Sequence, residues 1–179
     1  MTDTMDSAQH DEHVKTVYAH FGLALFLAQV LEHGLVNALV FVALLPARAG
    51  NPVPRKQWED EYESFYERNF ETTLGKMIHN LKEATSIPSD LEAVLAEALG
   101  RRNFLAHNYF RERDVEFLTE EGREKMIKEL QEAQSLFVAA DTKLTEVTKA
   151  ARERFGFTEE RINKMFEEYL ARIKNPNLK

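Results

Sequence analysis

Cysteine is absent from the 179 residues, which excludes disulfides, thiolate nucleophiles and any zinc or iron–sulfur site built on cysteine. A chain without thiols fits a reducing compartment. Proline is scarce as well, with 5 residues, three of them between positions 46 and 54, so long stretches are free to be helical. No glycine-rich phosphate loop, zinc-protease motif or serine nucleophile elbow is present. No stretch alternates apolar and polar residues for the length of a strand, and no internal repeat is visible. Basic charge is in deficit, 23 Lys and Arg against 30 Asp and Glu, for a net charge of −7. Proteins that hold nucleic acid over a broad face have the opposite balance. Any contact with RNA must therefore be local.

Hydrophobic residues make up 44% of the chain and charged residues 30%, the balance of a folded globular protein, and the length suits one domain. Residues 1–12 are polar and acidic with neither a basic nor an apolar stretch, so they predict a flexible tail rather than a secretion signal, and a cytoplasmic location. His10 and His13 have a spacing that two metal ligands could use. No third ligand accompanies them, and no metal or other cofactor is expected.

From residue 13 to 45 the chain has no proline, and Val17, Phe21, Leu25, Ala28, Leu31, Leu35 and Leu39 recur at helical spacing. This predicts a long first helix ending at Pro46. Its apolar length could span a bilayer, but Gln29, Glu32, His33 and Asn37 interrupt it. Burial on two sides, against the rest of the chain and against a second copy, accounts better for a helix that is apolar nearly all round. A homodimer off the membrane is the expectation.

After the proline-rich loop, Trp58, Tyr62, Phe65 and Tyr66 mark a short amphipathic helix over residues 57–68, whose aromatics read as packing residues more readily than as base-stacking ones. Thr72 or Thr73 caps a helix that stops before Pro88. Ser89 with Glu92 makes a capping box for a central helix, Thr119 opens a long one, Gly156 ends it, and Thr158 caps the last. The predicted class is all-α, a bundle of five to six helices. Its parts are a tail at 1–12, a helical domain at 13–156, and an additional helix and tail at 157–179.

The central helix carries the chemistry in Arg101-Arg102-Asn103-Phe104-Leu105-Ala106-His107-Asn108-Tyr109-Phe110. An arginine is permanently cationic, a histidine titrates near neutral pH, and an asparagine and a tyrosine beside them supply hydrogen bonds. Four arginines, at 101, 102, 111 and 113, outnumber Glu112 and Asp114 here. At about 100° per residue, Arg102 and His107 are about 140° apart and share no face, whereas Asn103 lines up with His107 and Arg102 with Tyr109. Two copies of the helix facing each other across a two-fold axis would gather both stripes.

The segment Arg102-Asn103-Phe104-Leu105-Ala106-His107 resembles the signature of the HEPN domain superfamily, and the following Asn108-Tyr109 resembles its extended form in toxin–antitoxin pairs. The resemblance implies a HEPN-like dimeric bundle and a metal-independent endoribonuclease, a toxin or an effector of defence or stress responses. Its composite site would lie at the dimer interface and leave 2′,3′-cyclic phosphate ends. It casts Arg102 and His107 as catalytic and Asn103 and Tyr109 as supporting or phosphate-binding residues. It also implies an antitoxin or nucleotidyltransferase partner, with Tyr109 as a candidate for adenylylation. Glu32 and His33 are candidates to stand behind the site. Arg101 reads as solvent-facing or paired with a carboxylate. In the competing reading, Arg102 forms an ion pair with Glu32, and the module binds a nucleotide, RNA or protein partner without cutting.

Overall fold

The computed structural model describes residues 2–175, with side chains from residue 11 onward. Among the described residues there is no strand, and the class is all-α. The helices are α1 Thr2–Leu39, α2 Leu45–Arg48, α3 Arg55–Phe70, α4 Leu74–Ala84, α5 Ser89–His107, α6 Tyr109–Glu112, α7 Asp114–Phe117, α8 Glu120–Arg154 and α9 Glu159–Lys174. Six of them are longer than one turn.

Two expectations about α1 are corrected. The helix takes in residues 2–12, expected to be a loose tail, and no proline or glycine interrupts the chain before Gly22. At the other end Pro46 does not stop the helix. Residues Val40–Leu44 form a π-turn in which the Leu45 N–H bonds to the Val40 carbonyl, and α2 continues from it with Pro46 in its first turn. A proline ring pushes against the carbonyl four residues back, and widening the turn just ahead relieves the clash without breaking the axis.

The core is built chiefly between α1 and α8, with α4 and α5 closing it. Val17, Ala24, Ala28, Leu31 and Leu35 of α1 are buried, and so are Leu130, Ala133, Phe137, Ala140 and Leu144 of α8. Alanines on both helices let the two axes approach closely. Leu91, Leu95, Ala98 and Leu105 bring α5 onto the same core, and Leu74, Met77, Ile78 and Leu81 bring α4. The opposite side of α1 is left uncovered, with Tyr18 and Leu23 exposed and Phe26 58% exposed.

Threonine caps sit at three of the predicted starts. Thr73 accepts from Lys76 N–H, Thr119 from Gly122 N–H and Thr158 from Arg161 N–H. Gly156, at φ +77°, takes the left-handed conformation that ends the chain's run through α8. Phe157 packs edge-on to Phe41, with ring centroids 5.1 Å apart, and tethers the chain just ahead of α9 to the π-turn that follows α1. Beyond that tether α9 buries no residue, and Phe166, Tyr169 and Ile173 lie exposed along one stripe. Removing residues 158–179 should therefore shift the melting temperature by less than about 3 °C. A calorimetric loss well beyond that would mean that α9 belongs to the cooperative core.

Candidate active site

The helix that carries the site, α5, starts at the predicted place for a different reason. Pro88 is its N-cap and no side chain caps it. Asp90 accepts from the Leu91 N–H instead, and Glu92 pairs with Lys82 of α4 rather than reaching back to close a capping box. The helix ends at His107. Asn108, at φ −128° and ψ −20°, closes the last turn by donating to the Phe104 carbonyl at 2.9 Å, and α6 sets off from it.

That break separates Tyr109 from the stripe it was expected to share with Arg102. Tyr109 is 1% exposed, and its ring packs between those of Phe21, Phe104 and Phe110, with centroids 5.7, 5.7 and 5.4 Å away. The hydroxyl donates to the Met126 carbonyl of α8 at 3.1 Å. Burial drives its pKa far above that of a free tyrosine, with Glu129 adding to the rise. Neither a phosphate nor a modifying partner reaches a hydroxyl held in this way. The tyrosine serves the core.

Arg102 goes where the competing reading put it. Its Nε donates to Glu32 Oε1 of α1 at 3.2 Å, and Nη1 lies 3.5 Å from Asn103 Oδ1. Among the described residues nothing bonds Nη2. The side chains of Arg102 and Glu32 are 32% and 16% exposed, so the pair sits at the edge of the bundle with donors to spare. It borders a recess of about 220 Å³ lined by Leu25, Ala28 and Gln29 of α1 and by Ala106 of α5. Asn103 and His107 are exposed on the adjoining flank of α5, and His107 has no hydrogen-bond partner among the described residues.

Of the two residues expected behind the site, the structure brings in one. Glu32 holds Arg102, but the next residue points away: His33 packs on Phe70 at 4.4 Å between centroids, with Nδ1 3.4 Å from the Tyr66 hydroxyl. Position 33 comes after position 32 by about 100° around the helix, so one α1 stripe cannot present both. The other arginines are engaged as well. Arg113 grips Glu129 with Nε and Nη2, both at 3.0 Å, and Arg101 Nη1 joins the same carboxylate at 3.3 Å. Arg111 donates to Asn108 Oδ1. Sequence reasoning missed Glu129 of α8, which faces Arg101 of α5 and Arg113 between α6 and α7 and turns half of the expected basic patch into a structural clamp.

No group of three or more His, Asp or Glu side chains converges among the described residues; the side chain of His10 lies outside them. No family model, curated protein or solved structure matches the chain. The resemblance of residues 102–109 therefore stands on those residues alone.

Burial of Tyr109 sets a sign for its pH linkage. The folded hydroxyl stays protonated where the unfolded one ionises, near pH ~10, so stability is intact below that pH and is lost as pH rises above it. Tyr109→Phe should cost about 1 kcal/mol at neutral pH through the lost bond to Met126, yet fall off less steeply than the native chain in urea melts above pH ~10. Equal slopes would contradict the burial.

Proposed function

We propose that the chain is a metal-independent endoribonuclease of the HEPN type, working in the cytoplasm as a homodimer and serving as a toxin or as an effector of defence or stress responses. The observation that carries this reading is Arg102, held by Glu32 at the rim of a recess with unspent donors, with Asn103 and His107 exposed beside it. The uncovered side of α1 borders the same recess, since Leu25 and Gln29 line it and Phe26 lies between them in sequence. A second copy seated there would bring its own α5 to face the first.

The chemistry derives from the residue types. A neutral His107 takes the proton from a ribose 2′-hydroxyl as that oxygen attacks the adjacent phosphorus. His107 of the second copy, in its protonated form, gives a proton to the departing 5′-oxygen. Arg102 binds the non-bridging oxygens and offsets the charge that builds on them. Asn103 orients the phosphate or the imidazole. The products are a 2′,3′-cyclic phosphate and a 5′-hydroxyl, and protons balance between the two histidines. Glu32 fixes the guanidinium in place and leaves part of its charge unspent. Tyr109 has no part in this scheme, so any antitoxin or other partner acts at the recess or at the exposed faces.

A second reading is favoured by one observation, that Arg102 already has a carboxylate partner. Here the recess holds a nucleotide, RNA or protein segment without cutting. RNA cleavage in the presence of a chelator separates the two. The native chain should cleave, and Arg102→Ala and His107→Ala should each lose about 100-fold or more while remaining folded dimers. Undiminished cleavage by both variants would overturn the assignment, and tight RNA binding with no turnover would favour the second reading.

A further inference from the structure

A larger cleft lies away from Arg102 and shares no residue with its recess. It has a volume of about 530 Å³ and lies between α1 and α8, roofed by Ile162 and Met165 of α9. Through Asn37, Phe41, Tyr62 and Phe157 it continues into a recess of about 290 Å³ reaching Trp58. Volumes of this order are those of small-molecule sites.

One charge stands out within it. Asp141 of α8 is half-buried, lines the cleft, and has no hydrogen-bond or ion-pair partner among the described residues. Burial raises the pKa of this carboxyl above the ordinary aspartate value. A carboxylate drawn partly out of water without a partner is a cost to the fold. The backbone opposite is shaped to accept it, because a Cβ on Gly34 of α1 would stand 2.4 Å from Asp141 Oδ1. Arg152 also lines the cleft, with its Nη2 donating to the Thr145 carbonyl, one turn along α8 from Asp141, and its Nε buried without a partner, yet among the described residues no ion pair joins it to Asp141. His33 is occupied with Tyr66 and Phe70.

We propose that this cleft binds an organic monocation, an ammonium or guanidinium group on an apolar body, with the charge on Asp141 and the body against Phe41, Tyr62 and Phe157. A bare metal ion fits poorly, since one carboxylate among aromatic and aliphatic walls cannot complete an oxygen shell. An organic cation meets both features. Its charge offsets Asp141, the aromatic faces attract it further, and its body displaces water from apolar surface. Because Ile162 and Met165 belong to the one long helix that buries nothing, a bound cation also fastens α9 to the bundle.

The test uses the full chain with phenethylammonium chloride and its neutral counterpart 2-phenylethanol, read by calorimetric titration and by hydrogen exchange of α9 amides. Phenethylammonium should bind, the alcohol should bind about tenfold more weakly or worse, and exchange across Glu159–Lys174 should slow only with the cation. Asp141→Asn should lose the preference between the probes and melt no lower than the native chain, because it removes an uncompensated charge. Failure of phenethylammonium to bind, equal binding of the two probes, unchanged preference in Asp141→Asn, or a lower melting temperature for that variant would each overturn the proposal. RNA cleavage should be the same in Asp141→Asn as in the native chain, which keeps this result separate from the fate of Arg102.

Discussion

A helix that is apolar around most of its circumference needs partners on most of its sides, and α1 leaves one side open. Its inner stripe, from Val17 to Leu35, is covered by α8, α4 and α5. Its outer stripe, with Leu23 and Phe26, meets solvent. Covering one fully exposed phenylalanine contributes about 1.5–3 kcal/mol, so the proposed second copy would gain from this stripe. By length and composition the helical run Asp11–Arg48 would also pass for a membrane span, with 33% of the relevant window buried inside the bundle.

The polar features are arranged around that helix. On one flank Glu32 reaches Arg102 of α5 and leaves a charged recess at the rim. On another, Gly34 lets α8 bring Asp141 against the α1 backbone at the mouth of a larger cleft. Between them His33 turns toward the aromatic ladder of α3, where Tyr62 and Tyr66 stack with centroids 5.6 Å apart and Tyr66 meets Phe70 at 4.9 Å. Successive residues on one helix are thus assigned to three surroundings by rotation alone, about 100° at each step.

Local signals carried most of the fold. Thr73, Thr119, Thr158 and Gly156 announce helix ends through chemistry confined to three or four residues, and each does so in the structure. Where a distant group competes, the local signal misleads. Ser89 with Glu92 would make a capping box, but Pro88 takes the N-cap position and Glu92 pairs with Lys82, and Pro46 would end α1 had the π-turn not absorbed it. The site was legible in the same measure. The pairing of Arg102 with Glu32 belongs to the competing reading of that arginine, and the two are bonded. Tyr109 was placed by extrapolating an ideal helix through Asn108, and nothing in the residues marks the break that turns it inward. Asp141 with Gly34 was invisible, since neither residue is unusual until two helices far apart in the chain are packed together.

The central claim is that a second copy covers the open side of α1 and completes the site at Arg102. Phe26→Glu puts a charge in the middle of that side without touching the core or the recess. Sedimentation equilibrium, with metal-free RNA cleavage assayed on the same samples, reads the consequence directly. The native chain should behave as twice its 20.7 kDa and cleave, whereas the folded variant should be monomeric and inactive. A native chain that is monomeric, or a monomeric variant that cleaves as the native chain does, would contradict the account.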